Sequence, residues 1–258
     1  MKENLPLAGS YSMLAEPFHC DFTHALHMGH LGNCMLNAAD FHSTARGFGM
    51  SYLNTVNKTW VLSRLCIEME EMPQQNTHFA VTTWVENALR FFTQRNFCIT
   101  DEQSGRILGY GRSVWALIDL STRQPTDILA VKNGDIVKWI DSDRHCPIAA
   151  PGRVKMNSDA PVVSSFKVRY SDIDINGHVN SIKYIEHIMD LFPLSFYREY
   201  KLHRFDIAYV AETYDGDKLH FHVDDLSDTE KAIRVTKSSN DGAEETEVVR
   251  CSMIFKKN

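Results

Sequence analysis

A chain of 258 residues suits one large domain or two of ordinary size, because single cores stop growing near roughly 250–300 residues. With 43% hydrophobic and 23% charged residues it has a globular composition, and no segment approaches the roughly 18 unbroken apolar residues of a membrane-spanning helix, so membrane insertion is not expected. The net charge of -6 argues against nucleic acid, whose phosphates need a basic surface, and the six scattered cysteines contain no C-x-x-C pair for zinc or redox chemistry.

The N-terminal stretch MKENLPLAGSYSMLAEPF has no apolar signal core and no Arg/Ser-rich transit character, which makes the expected location cytoplasmic. Further on, Cys34, Ala38, Phe41, Ala45, Phe48 and Tyr52 recur at steps of four and three, one face of an amphipathic helix that Gly47 and Gly49 should end or fray. Residues 59–70, 79–86, 89–100 and 107–120 follow, rich in β-branched and aromatic side chains at strand length, and read as successive antiparallel strands. Trp60, Trp84 and Trp115 fall in these strands and are most simply core. The run from Gly105 to Gly111 has no helix opening after it, so hairpin or close sheet packing suits it better than a phosphate cradle.

Gly, Pro, Asp and Asn then become dense, which places a linker at 136–160 between a first domain at 1–135 and a second at 161–258. The second half repeats the order of the first. A strand at 162–170 leads to a helix with Ile182, Ile185, Met189 and Phe192 on one face, stopped by Pro193, and then to strands at 205–212, 218–224, 231–237 and 246–256. Overlaying Phe18 on Phe166 aligns Gly29-His30-Leu31 with Gly177-His178-Val179, a short internal repeat. Each half is an α+β unit in which an antiparallel sheet curls around an apolar helix.

Polar chemistry concentrates between Tyr170 and Tyr184, where Asp174, Asn176 and His178 occupy alternate positions just before a helix. In an extended segment all three would face one side, with the helix N–H groups and positive dipole end beside them, a suitable place for developing negative charge. Structural readings stand beside this one: Asn176 or Asn180 as a helix cap, Asp174 as a turn residue next to Gly177, His178 as a packed histidine, and Glu212 as an exposed strand end. His220, His222 and Asp224 share a strand face but show no further metal ligand.

The pattern D-x-N-x-H-V-N-x-x-x-Y before a helix, with Glu212 some thirty residues on, resembles the acyl-ACP thioesterase family of plants and bacteria. The segments Thr59–Arg64, Thr83–Glu86 and Ser113–Asp119 resemble that family's strand motifs in the same order. The resemblance covers nearly the whole chain. It implies two tandem hot-dog domains, a place in fatty acid biosynthesis, acyl carrier protein bearing a fatty acyl chain as partner, and a first half that walls the acyl tunnel. It also implies a catalytic set of Asp174, Asn176, His178 and Glu212, with no cofactor and no metal.

Plant members often carry Cys after the glutamate, whereas Thr213 stands here, so water attack with Glu212 as base is expected rather than a thiol nucleophile. Asn176 and His178 would donate to the thioester oxygen or position the water, and Asp174 would orient them. Lys167, Arg169, Lys201 and Arg204 are candidates for guiding an acidic carrier protein, and a homodimer is compatible with the sequence.

In the internal overlay Leu26 and Met28 stand where Asp174 and Asn176 stand, which assigns catalysis to the second half alone. Rival readings are an acyl-CoA thioesterase of the 4-hydroxybenzoyl-CoA thioesterase type acting through Asp174, a hot-dog dehydratase, and a non-catalytic acyl-binding protein.

Overall fold

The computed structural model describes residues 5–238 and 245–258, which divide into two compact units, Met1–Ala150 and Pro151–Asn258. Among the described residues no helix is long and apolar enough to cross a membrane.

The first unit contains strands β1 (Gly9–Leu14), β2 (Lys58–Met69), β3 (His78–Ala88), β4 (Phe92–Asp101) and β5 (Ile107–Asp119), with helices α1 (Met28–Ala45) and α2 (Met50–Thr55). Its strands lie in the order β1-β3-β4-β5-β2, every neighbouring pair antiparallel. The four strands expected from residue pattern are present; β1 is an addition, a short edge strand whose alternating half-buried side chains form no apolar run.

Helix α1 ends at Ala45, followed by Gly47 in the left-handed region at φ +78°. Its buried stripe runs through Leu31, Met35, Ala38 and His42. The expected stripe is therefore rotated by about one position, for Phe41 is half exposed and packs edge-on against Tyr11 with ring centroids 5.6 Å apart. Small residues decide this phase: Gly29, Gly32, Ala38 and Ala39 are buried on the sheet-facing side, where they permit a close approach. The sheet yields as well. A Cβ at Gly111 would strike the Met35 methyl group, and Gly105, at φ +70°, turns the hairpin between β4 and β5. The glycines of that segment thus serve packing and turning, as their context suggested.

The connector is only partly a linker. Its 3₁₀ segment Ile128–Trp139 is broken by left-handed residues at Lys132, Asn133 and Gly134. Residues up to Ala150 belong to the first unit: Asp141 N–H donates to the Val85 carbonyl at 2.8 Å, Trp84 Nε1 donates to the Arg144 carbonyl at 2.8 Å, and Cys146 and Ile148 are buried against Trp84. Density of turn-forming residues marked irregular backbone here, and buried apolar side chains attach that backbone to the sheet.

The second unit contains β6 (Val162–Lys167), α3 (Ser181–Met189), α4 (Leu194–Glu199), β7 (Tyr200–Tyr209), β8 (Lys218–Asp225), β9 (Glu230–Ser238) and β10 (Thr246–Lys257). The strand order β6-β8-β9-β10-β7, again antiparallel throughout, reproduces the first unit. Alternation drives it: in β10, Val249, Cys251, Met253 and Phe255 are buried while Arg250, Ser252 and Ile254 are less so. Helix α3 buries Ile182, Tyr184, Ile185 and Ile188, and Tyr209 Oη on β7 donates to the Ser181 carbonyl at 2.9 Å. Pro193 does not terminate α3, which ends at Met189; it caps α4, a short helix absent from the expected elements. Each unit is an antiparallel sheet with a central helix on its inner face, the hot-dog arrangement.

Candidate active site

The loop before α3 departs from the extended form expected of it. Asp174 Oδ1 accepts the Asn176 N–H at 2.8 Å, Gly177 adopts φ +79°, and Asp174 N–H donates to the His178 carbonyl at 2.8 Å. The result is a closed turn, because a short carboxylate next to a glycine satisfies backbone donors that an extended chain would leave free. Asp174 is thus a turn-former whatever else it does. The Asn176 side chain is exposed, with Nδ2 3.4 Å from Asp174 Oδ2. Asn180 caps α3 by accepting the Ile182 N–H at 2.9 Å.

The turn delivers His178 to a second loop. Val179 N–H donates to the Thr213 carbonyl at 2.9 Å, and a bridge pairs His178 with Tyr214. Glu212 does not end a strand, since β7 stops at Tyr209; it lies in the loop that follows. This placement sets His178 Nδ1 3.7 Å from Glu212 Oε1, both side chains about one quarter to one third exposed. At 3.7 Å the pair is an electrostatic contact, too long for a direct hydrogen bond.

Residue patterns did not single out Tyr214, yet it completes the group. Its Oη donates to Glu212 Oε2 at 2.9 Å, and its ring stands at 89° to the His178 imidazole, 4.9 Å between centroids. Lys237 Nζ donates to the Glu212 carbonyl at 2.8 Å and to Asp217 Oδ2 at 3.0 Å, which ties the loop to β9. The only available signal was an aromatic two positions after a carboxylate, which is too common to mean anything alone.

Behind the loop, Asp172 is 2% exposed; it accepts the Arg169 N–H at 2.8 Å and lies 2.8 Å from His187 Nε2 on α3. Thr213 is buried, and its Oγ1 accepts from Tyr184 Oη at 2.7 Å. Burial pushes the Tyr184 phenol up to about 12, so it stays a donor.

The first unit carries the same turn with other side chains. From the 3₁₀ turn to the start of the long helix, adding 153 to a first-unit number gives the second-unit counterpart: Met28 and Ser181 open the long helices, Pro17 and Tyr170 open 3₁₀ turns, and the Cys20–Leu26 bridge matches Ile173–Val179. Asp21 repeats the Asp174 turn, accepting Thr23 N–H at 2.7 Å, and His24 takes φ +64° where Gly177 has +79°. Ala25 therefore stands at the His178 position. Leu26 N–H bonds the Pro73 carbonyl at 2.9 Å as Val179 bonds Thr213, which puts Met72 at the Glu212 position. The sequence overlay, built on an offset of 148, was five residues out of register. A three-residue match cannot fix register, whereas turn hydrogen bonds can. His30 is not the partner of His178; it sits in the first turn of α1, its ring stacked 3.8 Å from His19.

Other candidates resolve as follows. Trp84 is core, but Trp60 and Trp115 are only partly buried and line a cavity of about 190 Å³ within the first unit. His220 and His222 are engaged by Ser165, Ser238, Thr236 and the Ala160 carbonyl, and Asp224 accepts the Asn157 N–H. Arg204 is taken up by Asp206 at 2.6 and 2.9 Å in a largely buried pair, which removes it from any docking surface.

Residues 11–132 match the model of the acyl-ACP thioesterase N-terminal domain and residues 155–256 that of the C-terminal domain. The chain is 50% identical to an acyl-ACP thioesterase from Bacteroides thetaiotaomicron whose crystal structure superposes with a TM-score of 0.89, covering 99% of this chain and 100% of that one. The 12:0-ACP thioesterase of Umbellularia californica, at 19% identity, has the same fold, with a TM-score of 0.83 over 98% of this chain and 99% of that one. The chloroplastic palmitoyl-acyl carrier protein thioesterase of Gossypium hirsutum is 25% identical over 91% of this chain, which spans 59% of that relative's length. With both halves matched in order, the chain belongs to the acyl-ACP thioesterase family.

Proposed function

We propose that the protein hydrolyses the thioester of a fatty acyl chain carried on acyl carrier protein, releasing free acid and carrier thiol. The observation that carries this reading is the meeting of Glu212 with His178, on two loops joined by main-chain hydrogen bonds, beside the Asp174 turn. Glu212 takes a proton from the attacking water. The water oxygen bonds the thioester carbon, and charge collects on the carbonyl oxygen, toward which His178 or Asn176 donates. Collapse of the adduct breaks the C–S bond, and the departing thiolate takes the proton that Glu212 received from the water, which restores the base. A thiolate leaves readily, so an oriented base and oxyanion donors suffice.

Tyr214 holds the carboxylate orientation through its 2.9 Å bond, and Asp174 holds the turn. Carrier docking is assigned to Lys167, Arg169 and Lys201, all exposed; Lys167 and Arg169 flank a rim on which Tyr170 and Ile175 are each 97% exposed. Bare apolar side chains beside cations suit an acidic protein partner. The test is thiol release from a panel of acyl-ACPs against matched acyl-CoAs, with Glu212→Ala as control. Faster turnover of the carrier-linked series supports the assignment, and preference for CoA substrates overturns it.

A further inference from the structure

Among the described residues one group of metal-binding side chains gathers from separate elements: Glu16, which precedes the 3₁₀ turn Pro17–His19, His19 at its end, and His30 in the first turn of α1. One ligand atom of each lies within 4.8 Å of the others. The His19 and His30 rings stack with centroids 3.8 Å apart and planes 10° from parallel, so their nitrogens can point the same way from neighbouring planes. His19 Nδ1 lies 2.9 Å from Glu16 Oε2, yet it is enclosed with no hydrogen-bond partner among the described residues. At that separation a hydrogen bond fails on direction, not on length. The ring nitrogen and the carboxylate oxygen stand side by side, as two ligands of one ion do.

The equivalent place in the second unit is built differently. Both long helices begin at matching residues, so the offset of 153 runs into them and pairs Glu16, His19, His30 and Cys34 with Arg169, Asp172, Lys183 and His187. There Asp172 Oδ1, 2.8 Å from His187 Nε2, ties the 3₁₀ turn to the helix through side chains. The first unit cannot make that tie. His19 replaces the carboxylate, and Cys34 replaces the imidazole as a buried thiol that burial first, and then the Glu16 charge, push up to about 11. It stays protonated at neutral pH and is not counted as a ligand. In the second unit the cations Arg169 and Lys183, at the places of Glu16 and His30, would repel a metal ion.

We propose that Glu16, His19 and His30 bind a divalent transition-metal ion of the zinc type, which joins the 3₁₀ turn to α1 where the second unit uses Asp172 and His187. A neutral imidazole offers one nitrogen lone pair, and two such nitrogens with one carboxylate oxygen are a donor set that zinc takes with a fourth position left to water. Zinc sits about 2.0–2.2 Å from such atoms, so ligands on a tetrahedral ion are about 3.4 Å apart, and rotation of the exposed Glu16 carboxylate and the half-buried rings closes the remaining distance. Imidazole nitrogens disfavour magnesium and calcium, which prefer oxygen. The site belongs to the first unit, while His178 and Glu212 belong to the second, so the ion is assigned to structure and not to hydrolysis.

The experiment titrates Zn²⁺ into the tag-free, chelator-treated full chain by calorimetry, with Co²⁺ as a spectroscopic probe. One equivalent should bind saturably and raise the melting temperature, and Co²⁺ should give the intense visible absorption of a four-coordinate site. Glu16→Gln and His30→Ala should each weaken Zn²⁺ by roughly tenfold or more and abolish the Co²⁺ band. His145→Ala, at an exposed histidine elsewhere in the first unit, should change neither. Absence of saturable Zn²⁺ binding overturns the proposal, and so does binding that survives either ligand substitution, which would assign the metal to other histidines. Circular dichroism checks that the variants fold; should one fail, the wild-type Co²⁺ spectrum still decides, because a weak six-coordinate spectrum overturns the site.

Discussion

His178 Nδ1 stands 3.7 Å from Glu212 Oε1 because the residues after each, Val179 and Thr213, are joined main chain to main chain at 2.9 Å. The spacing of the two side chains is thereby set by backbone. That arrangement brings an imidazole and a carboxylate to one place.

Glu212→Ala is expected to lower turnover by roughly 10²–10⁴-fold, as loss of a general base does. Steady-state thiol release on a folded variant checks it. Near-normal turnover would remove Glu212 from the chemistry and return Asp174 to first place.

Thr213→Ala should keep most of the turnover but melt earlier. Its hydroxyl accepts from the buried Tyr184 phenol at 2.7 Å, and an orphaned buried donor costs about 1–3 kcal/mol. Calorimetry beside kinetics separates the two effects; a catalytic collapse without a stability loss would contradict a purely structural role.

Asp174→Asn should be milder than Asp174→Ala, because an amide oxygen can still accept the Asn176 N–H that closes the turn. His178→Ala should cost roughly 10²–10³-fold if it donates to the oxyanion. Equal damage from Asn and Ala at position 174 would show that the carboxylate charge itself is needed.

His30→Ala and Asp21→Ala should leave the single-turnover chemical rate nearly intact, since Ala25 and Met72 occupy the first-unit places of His178 and Glu212. A chemical step slowed as much as in His178→Ala would mean that both halves share the reaction.

His42 gives the protein an acid-side weakness. Burial first, then the Arg95 charge, push its imidazole down to about 3, although the Leu7 carbonyl opposes this. The unfolded imidazole titrates near 6.5, so below that pH the unfolded chain binds a proton that the folded one refuses. Stability should be complete above about pH 6.5 and fall progressively toward about pH 3, by on the order of a few kcal/mol. His42→Gln, which can still donate to Leu7, should flatten urea-unfolding stability across that window.

The elements themselves were legible in the sequence. Alternating and 3.6-residue hydrophobic periods are local consequences of burying one face, so nine strands, both long helices and the repeated order followed from residue pattern, and the motif around His178 with Glu212 pointed to the family. Three things were decided only by tertiary structure. The phase of α1 depended on Gly29, Gly32 and Ala39 meeting a sheet that local pattern does not show. The register of the repeat depended on turn hydrogen bonds at Asp21 and Asp174, which tolerate almost any side chains between them. The site itself joins residues some thirty positions apart, and Tyr214 beside Glu212 has no local signature. Hydrophobic period is a property of neighbours in the chain; a carboxylate's orientation is a property of neighbours in space.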